Sequence, residues 1–66
     1  MQITINGQKY QFENQISIND LLEFLKIDSK KVAFECNLEI IPKSEYNSLL
    51  LKNNDKVEIV HFIGGG

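Results

Sequence analysis

The sequence predicts an α+β roll: a mixed five-stranded sheet with one main helix on one face. Three observations carry the prediction. Two runs of alternating residues flank Asn6-Gly7, a single helical stripe follows at residues 18–26, and three more strand-like runs complete the chain. With only one helix to bury a sheet, one face must be covered and the other left to water.

The elements follow in order. In residues 2–6, Ile3 and Ile5 share one side and Gln2, Thr4 and Asn6 the other; in residues 9–13, Tyr10 and Phe12 oppose Lys9, Gln11 and Glu13. Asn-Gly between two such runs is the strongest short hairpin signal. A slip of one residue would turn all four apolar side chains to water, so the pattern fixes the register. Ser17-Ile18-Asn19-Asp20 reads as a helix cap with Ser17 at the N-cap. Ile18, Leu21, Leu22 and Leu25 then fall at i, i+3, i+4 and i+7, which predicts a helix over about residues 18–26. Phe24 lies off that stripe and is expected to flank the core or touch a partner.

Val32–Cys36 predicts a third strand with Val32, Phe34 and Cys36 on the core side. Asn37-Leu38 predicts a turn, and Glu39-Ile40-Ile41 a short fourth strand ended by Pro42, which cannot donate to a ladder. Residues 44–48 predict a helical turn. Leu49, Leu50 and Leu51 tie the loop down, and Asn53-Asn54-Asp55 turns the chain into a last strand, residues 56–62.

That last strand holds an anomaly. Side chains alternate faces along a strand. Val57, Ile59 and Ile63 share a face with His61, while Lys56 and Glu58 mark the other face as wet. Val60 and Phe62 then point to solvent, and an exposed apolar pair marks a docking site. The competing reading is a bulge that buries Phe62.

Residues 1–62 are expected to form a single domain and residues 63–66 a flexible tail, Ile63-Gly64-Gly65-Gly66. Four residues reach at most roughly 13 Å at ~3.3 Å each. That length can carry a terminal carboxylate into a narrow site of another protein. The plainer reading is a frayed end.

The composition narrows the function classes. A chain of 66 residues buries only about 60% of its unfolded surface, too little for a deep pocket with its own supporting shell, so an independent enzyme is not expected. Seven basic and nine acidic residues leave a net charge of −2, which argues against nucleic acid as the main partner. The single cysteine, Cys36, cannot close an internal disulfide and suits a reducing compartment. No signal peptide and no membrane-spanning run is read, so a cytoplasmic protein is expected. Cys36 on the apolar side of a strand behaves as a small hydrophobe. His61 stands alone without a second ligand at metal spacing and is expected to be a partly buried polar handle. No phosphate-binding glycine loop is present, so ATP would have to bind a partner.

The strand order, the segments Glu39-Ile40-Ile41-Pro42-Lys43-Ser44-Glu45-Tyr46 and Asp55–Phe62, and the terminal Gly64-Gly65-Gly66 together resemble the prokaryotic sulfur carriers of the β-grasp, ubiquitin-like fold. Among them the chain is most similar to the ThiS family of thiamine biosynthesis, over its whole length. Leu38 departs from the pattern, where family members often carry glycine. The resemblance implies that the Gly66 carboxylate is adenylated by an E1-like, ThiF-like enzyme using ATP, with no cofactor bound by the carrier. It implies that sulfur from a cysteine-desulfurase persulfide converts Gly66 to a thiocarboxylate, which serves thiazole synthase, ThiG. Gly64 and Gly65 would form the flexible tail, Gly65 and Gly66 without side chains would pass into both enzymes, and Glu58, Val60 and Phe62 would form the docking surface. Two alternatives stay open. One is a related carrier, such as the small subunit of molybdopterin synthase or a transfer-RNA thiolation carrier. The other is a ubiquitin-like binding module whose tail does nothing.

Overall fold

A computed structural model describes residues 1–62. The predicted hairpin is β1 (Gln2–Ile5) and β2 (Gln8–Gln11), antiparallel, with Ile3 opposite Tyr10. Asn6 and Gly7 both take positive φ, 47° and 82°, as a two-residue type I′ turn requires.

Ser17 caps α1 (Ile18–Phe24), its Oγ accepting from the Asp20 N–H at 3.1 Å. The helix ends two residues earlier than the periodicity predicts, because Lys26 swings into the left-handed region at φ 59°. The Ile27 N–H then donates to the Leu22 carbonyl at 2.9 Å, and the Lys26 N–H to that of Glu23 at 3.0 Å. That is a Schellman stop built without glycine. A 3₁₀ turn, Ser29–Lys31, follows, capped by Asp28, whose carboxylate accepts from the Lys30 N–H.

β3 (Val32–Cys36) matches the predicted span, and β4 is Glu39–Ile40. Ile41 adds one more ladder bond, donating to the Phe34 carbonyl at 2.9 Å. The helical turn predicted at 44–48 is a 3₁₀ turn at Lys43–Glu45, and β5 is Lys56–His61. The sheet runs β2-β1-β5-β3-β4, with β1 and β5 parallel and the other neighbours antiparallel. It is the mixed sheet the sequence predicts, with β5 at its centre.

The core lies between α1 and one face of the sheet. Ile3, Ile5, Val32, Phe34, Val57 and Ile59 come from the sheet, and Ile18, Leu21 and Leu22 from the helix. Two further core residues come from the long connection before β5. Leu51 is fully buried, whereas Leu50 is exposed, so the three leucines do not act alike. Tyr46 is buried as well, its ring tilted against Phe34 at 5.9 Å between centroids, and burial raises its phenol pKa above the ordinary value. Phe24 is exposed and packs edge-on to Phe12, centroids 5.4 Å apart. It flanks the core, one of its two expected roles.

Asn37 and Leu38 form the β3–β4 turn, with φ 52° and 72°. Leucine carries a steric cost in the left-handed region of roughly 1–2 kcal/mol. Its side chain is 87% exposed, so packing offsets little of it. Leu38→Gly is therefore expected to raise stability by about 1 kcal/mol, less the entropy glycine adds to the unfolded chain. Urea unfolding measures this, and a fall in the midpoint would show that Leu38 makes contacts worth more than the strain.

Candidate functional site

The five-stranded sheet has one face under the helix and one face bare. Along β5, Val57 is fully buried and Ile59 is 6% exposed, while Val60 and Phe62 on the opposite side are 53% and 58% exposed. The register from Val32↔His61 to Cys36↔Val57 is unbroken. No bulge intervenes, and the alternation read from the sequence is the geometry of the strand. Ala33 stands opposite Val60, and Ile40, 71% exposed, stands opposite Glu35. The bare face thus carries Ala33, Ile40, Val60 and Phe62 together.

Glu58, the third residue assigned to docking, is exposed on the same face and directly opposite Glu35. Two like charges placed as a cross-strand pair oppose folding. The pair gives the middle of this surface a negative spot between apolar neighbours.

β5 is held on both sides. Asn6 Oδ1 accepts from the Ile59 N–H at 2.7 Å, and its Nδ2 donates to the Ile59 carbonyl at 3.1 Å. The side chain thereby imitates one more residue of β1. From the other side, Asn37 Oδ1 accepts from the Lys56 N–H at 2.9 Å, and the Asn37 N–H donates to the Lys56 carbonyl at 2.7 Å. Both asparagines read as turn formers in the sequence. Their second role rests on a general signal, since Asx side chains bond to nearby backbone, but which strand they reach is a long-range fact.

Phe62 is fixed in a way the sequence does not reveal. Its N–H donates to the Lys31 carbonyl at 2.9 Å, continuing the ladder past β5. Lys43 lies over its ring, Nζ 5.5 Å from the centroid, and also donates to the Lys30 carbonyl at 3.4 Å. The root of the tail is therefore ordered. The assignments to Gly64, Gly65 and Gly66 lie outside the described residues.

Two sequence expectations resolve differently. His61 is exposed, not partly buried. It follows Ile59, the last core residue of the strand, and an imidazole left in water pays no desolvation. Cys36 has its thiol pKa raised to about 11, first by burial, then by the Asp55 carboxylate as charge and hydrogen-bond partner, then by Glu39. The thiolate is the reactive form. A shift from 9.0 to about 11 leaves roughly 100-fold less thiolate at pH 8. Alkylation of the folded protein by iodoacetamide at pH 8 is expected to be slower than in urea by about that factor, and equal rates would refute it. Because folding favours the neutral thiol, its contribution to stability is intact below pH 9 and declines as pH rises through about 11. Cys36 is a poor nucleophile, as its place on the core side of β3 suggests.

Among the described residues no helix is long and apolar enough to cross a membrane. Residues 3–66 match the ThiS family. A thiazole synthase from Paramagnetospirillum magneticum is 48% identical over 66 residues, all of this chain; the chain spans only 20% of that relative's length. The sulfur carrier protein ThiS of Bacillus subtilis is 38% identical over 65 residues, covering 97% of this chain and 98% of the relative. The crystal structure of the thiamine biosynthesis protein ThiS from Geobacter metallireducens superposes with a TM-score of 0.86 at 29% identity, covering all of both chains. A β-grasp sheet of this order, with matches that run the length of the chain, leads to one conclusion: the chain belongs to the ThiS family of thiamine-biosynthesis sulfur carriers.

Proposed function

We propose that the chain carries sulfur for the thiazole ring of thiamine on the carboxyl group of Gly66, and that it catalyses no step itself. Membership in the ThiS family is the observation that carries this reading. The chemistry explains why partners are needed. A carboxylate is a poor acylating agent, because its leaving group would be oxide. In the proposed cycle a carboxylate oxygen of Gly66 attacks the α-phosphorus of ATP held by a ThiF-like enzyme, and pyrophosphate leaves. The mixed anhydride that results has AMP as a good leaving group. The terminal sulfur of a persulfide, supplied by a cysteine desulfurase, displaces AMP to give an acyl disulfide. A second thiol then attacks the S–S bond, which releases the thiocarboxylate and leaves a disulfide that a thiol reductant reopens. Thiazole synthase is the acceptor, and the match to a chain of that name supports the pairing.

Within this cycle the bare sheet face is the handle. Val60 and Phe62 supply exposed apolar area beside the tail root, and Glu58 with Glu35 offers carboxylates to a basic side chain of the enzyme. Interface anchors of this kind are apolar residues ringed by charge. Gly64 and Gly65 have no side chains to obstruct a narrow channel.

Intact mass of the protein isolated from cells tests the reading. One oxygen-for-sulfur exchange, mapped by fragmentation to Gly66, is expected. Sulfur found on Cys36 instead would overturn it. Deleting the gene is expected to create a thiazole requirement in a host with no second carrier, and growth without thiazole would favour a related thiolation pathway.

A further inference from the structure

We propose that Lys30, Lys31 and Lys43 form a cationic collar around the root of the tail, which docks on carboxylates at the rim of the adenylating enzyme's tail-accepting channel. The inference rests on the sulfur-carrier reading and adds to it the chemistry of the partner's rim.

The geometry assembles the collar from two separate segments. Lys30 and Lys31 end the 3₁₀ turn before β3, and Lys43 opens the turn after Pro42. They meet at Phe62. The Lys31 carbonyl receives the Phe62 N–H, while Lys43 covers the Phe62 ring and donates to the Lys30 carbonyl. All three lysines are exposed. Asp28, two residues before Lys30, turns its carboxylate onto the backbone at the Lys30 N–H, 2.9 Å away, and Glu45 ends the turn that Lys43 opens.

Charge is therefore sorted along the docking face. The Lys43 ammonium lies over Phe62 where the tail leaves, with the backbone of Lys30 and Lys31 beside it; Val60 and Ala33 come next, then Glu58 and Glu35, with Lys56 beyond them. A protein of net charge −2 thus presents three of its cations at the end that must approach first. A sorted face specifies one docking orientation and speeds encounter with a partner of the reverse pattern. The range of the effect decides what the collar can reach. Four residues can carry a carboxylate at most roughly 13 Å away, but exposed charges are screened over about 8 Å at physiological salt. The collar acts on the partner's rim, and not on the ATP at the end of the channel.

Stopped-flow association with the ThiF-like enzyme of the same organism tests this. Lys31→Glu/Lys43→Glu is compared with Lys9→Glu/Lys52→Glu, which has the same total charge but leaves the collar intact. The collar variant is expected to associate at least tenfold more slowly at 50 mM salt, with the deficit shrinking at 300 mM. The control is expected to change less than threefold. Lys31→Gln/Lys43→Gln should fall between. Equal slowing in both charge-reversed variants would reduce the effect to net charge and overturn the collar, as would wild-type rates in the collar variant. Circular dichroism identifies any variant that is unfolded; the Gln pair, which introduces no new charge, then decides. Pyrophosphate release by the wild-type chain separates the two claims: without it the carrier reading itself fails, whereas release with an indifferent collar removes only this inference.

Discussion

Removing Gly65 and Gly66 is expected to abolish adenylation while leaving the melting temperature unchanged. The core is assembled between Ile3 and Ile59, so no buried residue is lost. What disappears is the carboxylate at the only position the proposed reaction can use. The new terminus at Gly64 would sit about 7 Å short of the old one, at ~3.3 Å per residue. A nucleophile must come within roughly 3–3.5 Å of the atom it attacks, so such a gap leaves no reactive approach. Pyrophosphate release in the presence of the ThiF-like enzyme and ATP is the measurement, and the expected rate is indistinguishable from that without carrier. A full-length chain ending in a carboxamide isolates the reactive group from the reach, and it too is expected to be inert. Normal turnover by either variant would mean that sulfur activation occurs elsewhere on the protein.

Phe62→Asp is expected to separate binding from folding. The ring is 58% exposed and its main folded-state contact is Lys43. An exposed cation–π contact is worth about 0.5–1 kcal/mol. In a domain of this size that corresponds to a loss of less than about 8 °C in melting temperature. A central aromatic anchor of an interface, by contrast, accounts for about 2 kcal/mol or more. Binding to the adenylating enzyme should therefore weaken at least ~30-fold. Titration calorimetry paired with thermal unfolding reads both quantities from the same preparations. Phe34→Ala gives the opposite signature: Phe34 is fully buried at the sheet centre, and its truncation is expected to remove about 3–5 kcal/mol of stability. A Phe62 variant that melts like the Phe34 variant would refute the assignment of Phe62 to the docking face.

Local chemistry determined much of this protein before any long-range contact was known. Asn6-Gly7 set the first hairpin because its geometry needs two residues that tolerate positive φ. Ser17 set the helix start, and the 2-residue period of β5 placed Val60 and Phe62 on the outer side, because alternation is a property of the strand alone. Family membership was legible for the same reason: its marks are contiguous segments. The tertiary structure decided what depends on segments far apart. Tyr46 and Leu51 became core residues because the connection before β5 folds back under the sheet, and no periodicity marks a loop residue as buried. Asn6 and Asn37 became clamps on β5 for the same reason. Lys43 reached Phe62 only because the turn after Pro42 is packed beside the end of β5. A side chain's neighbours across a sheet are set by topology and not by spacing, and so the collar at the tail root was invisible until the strands were in place.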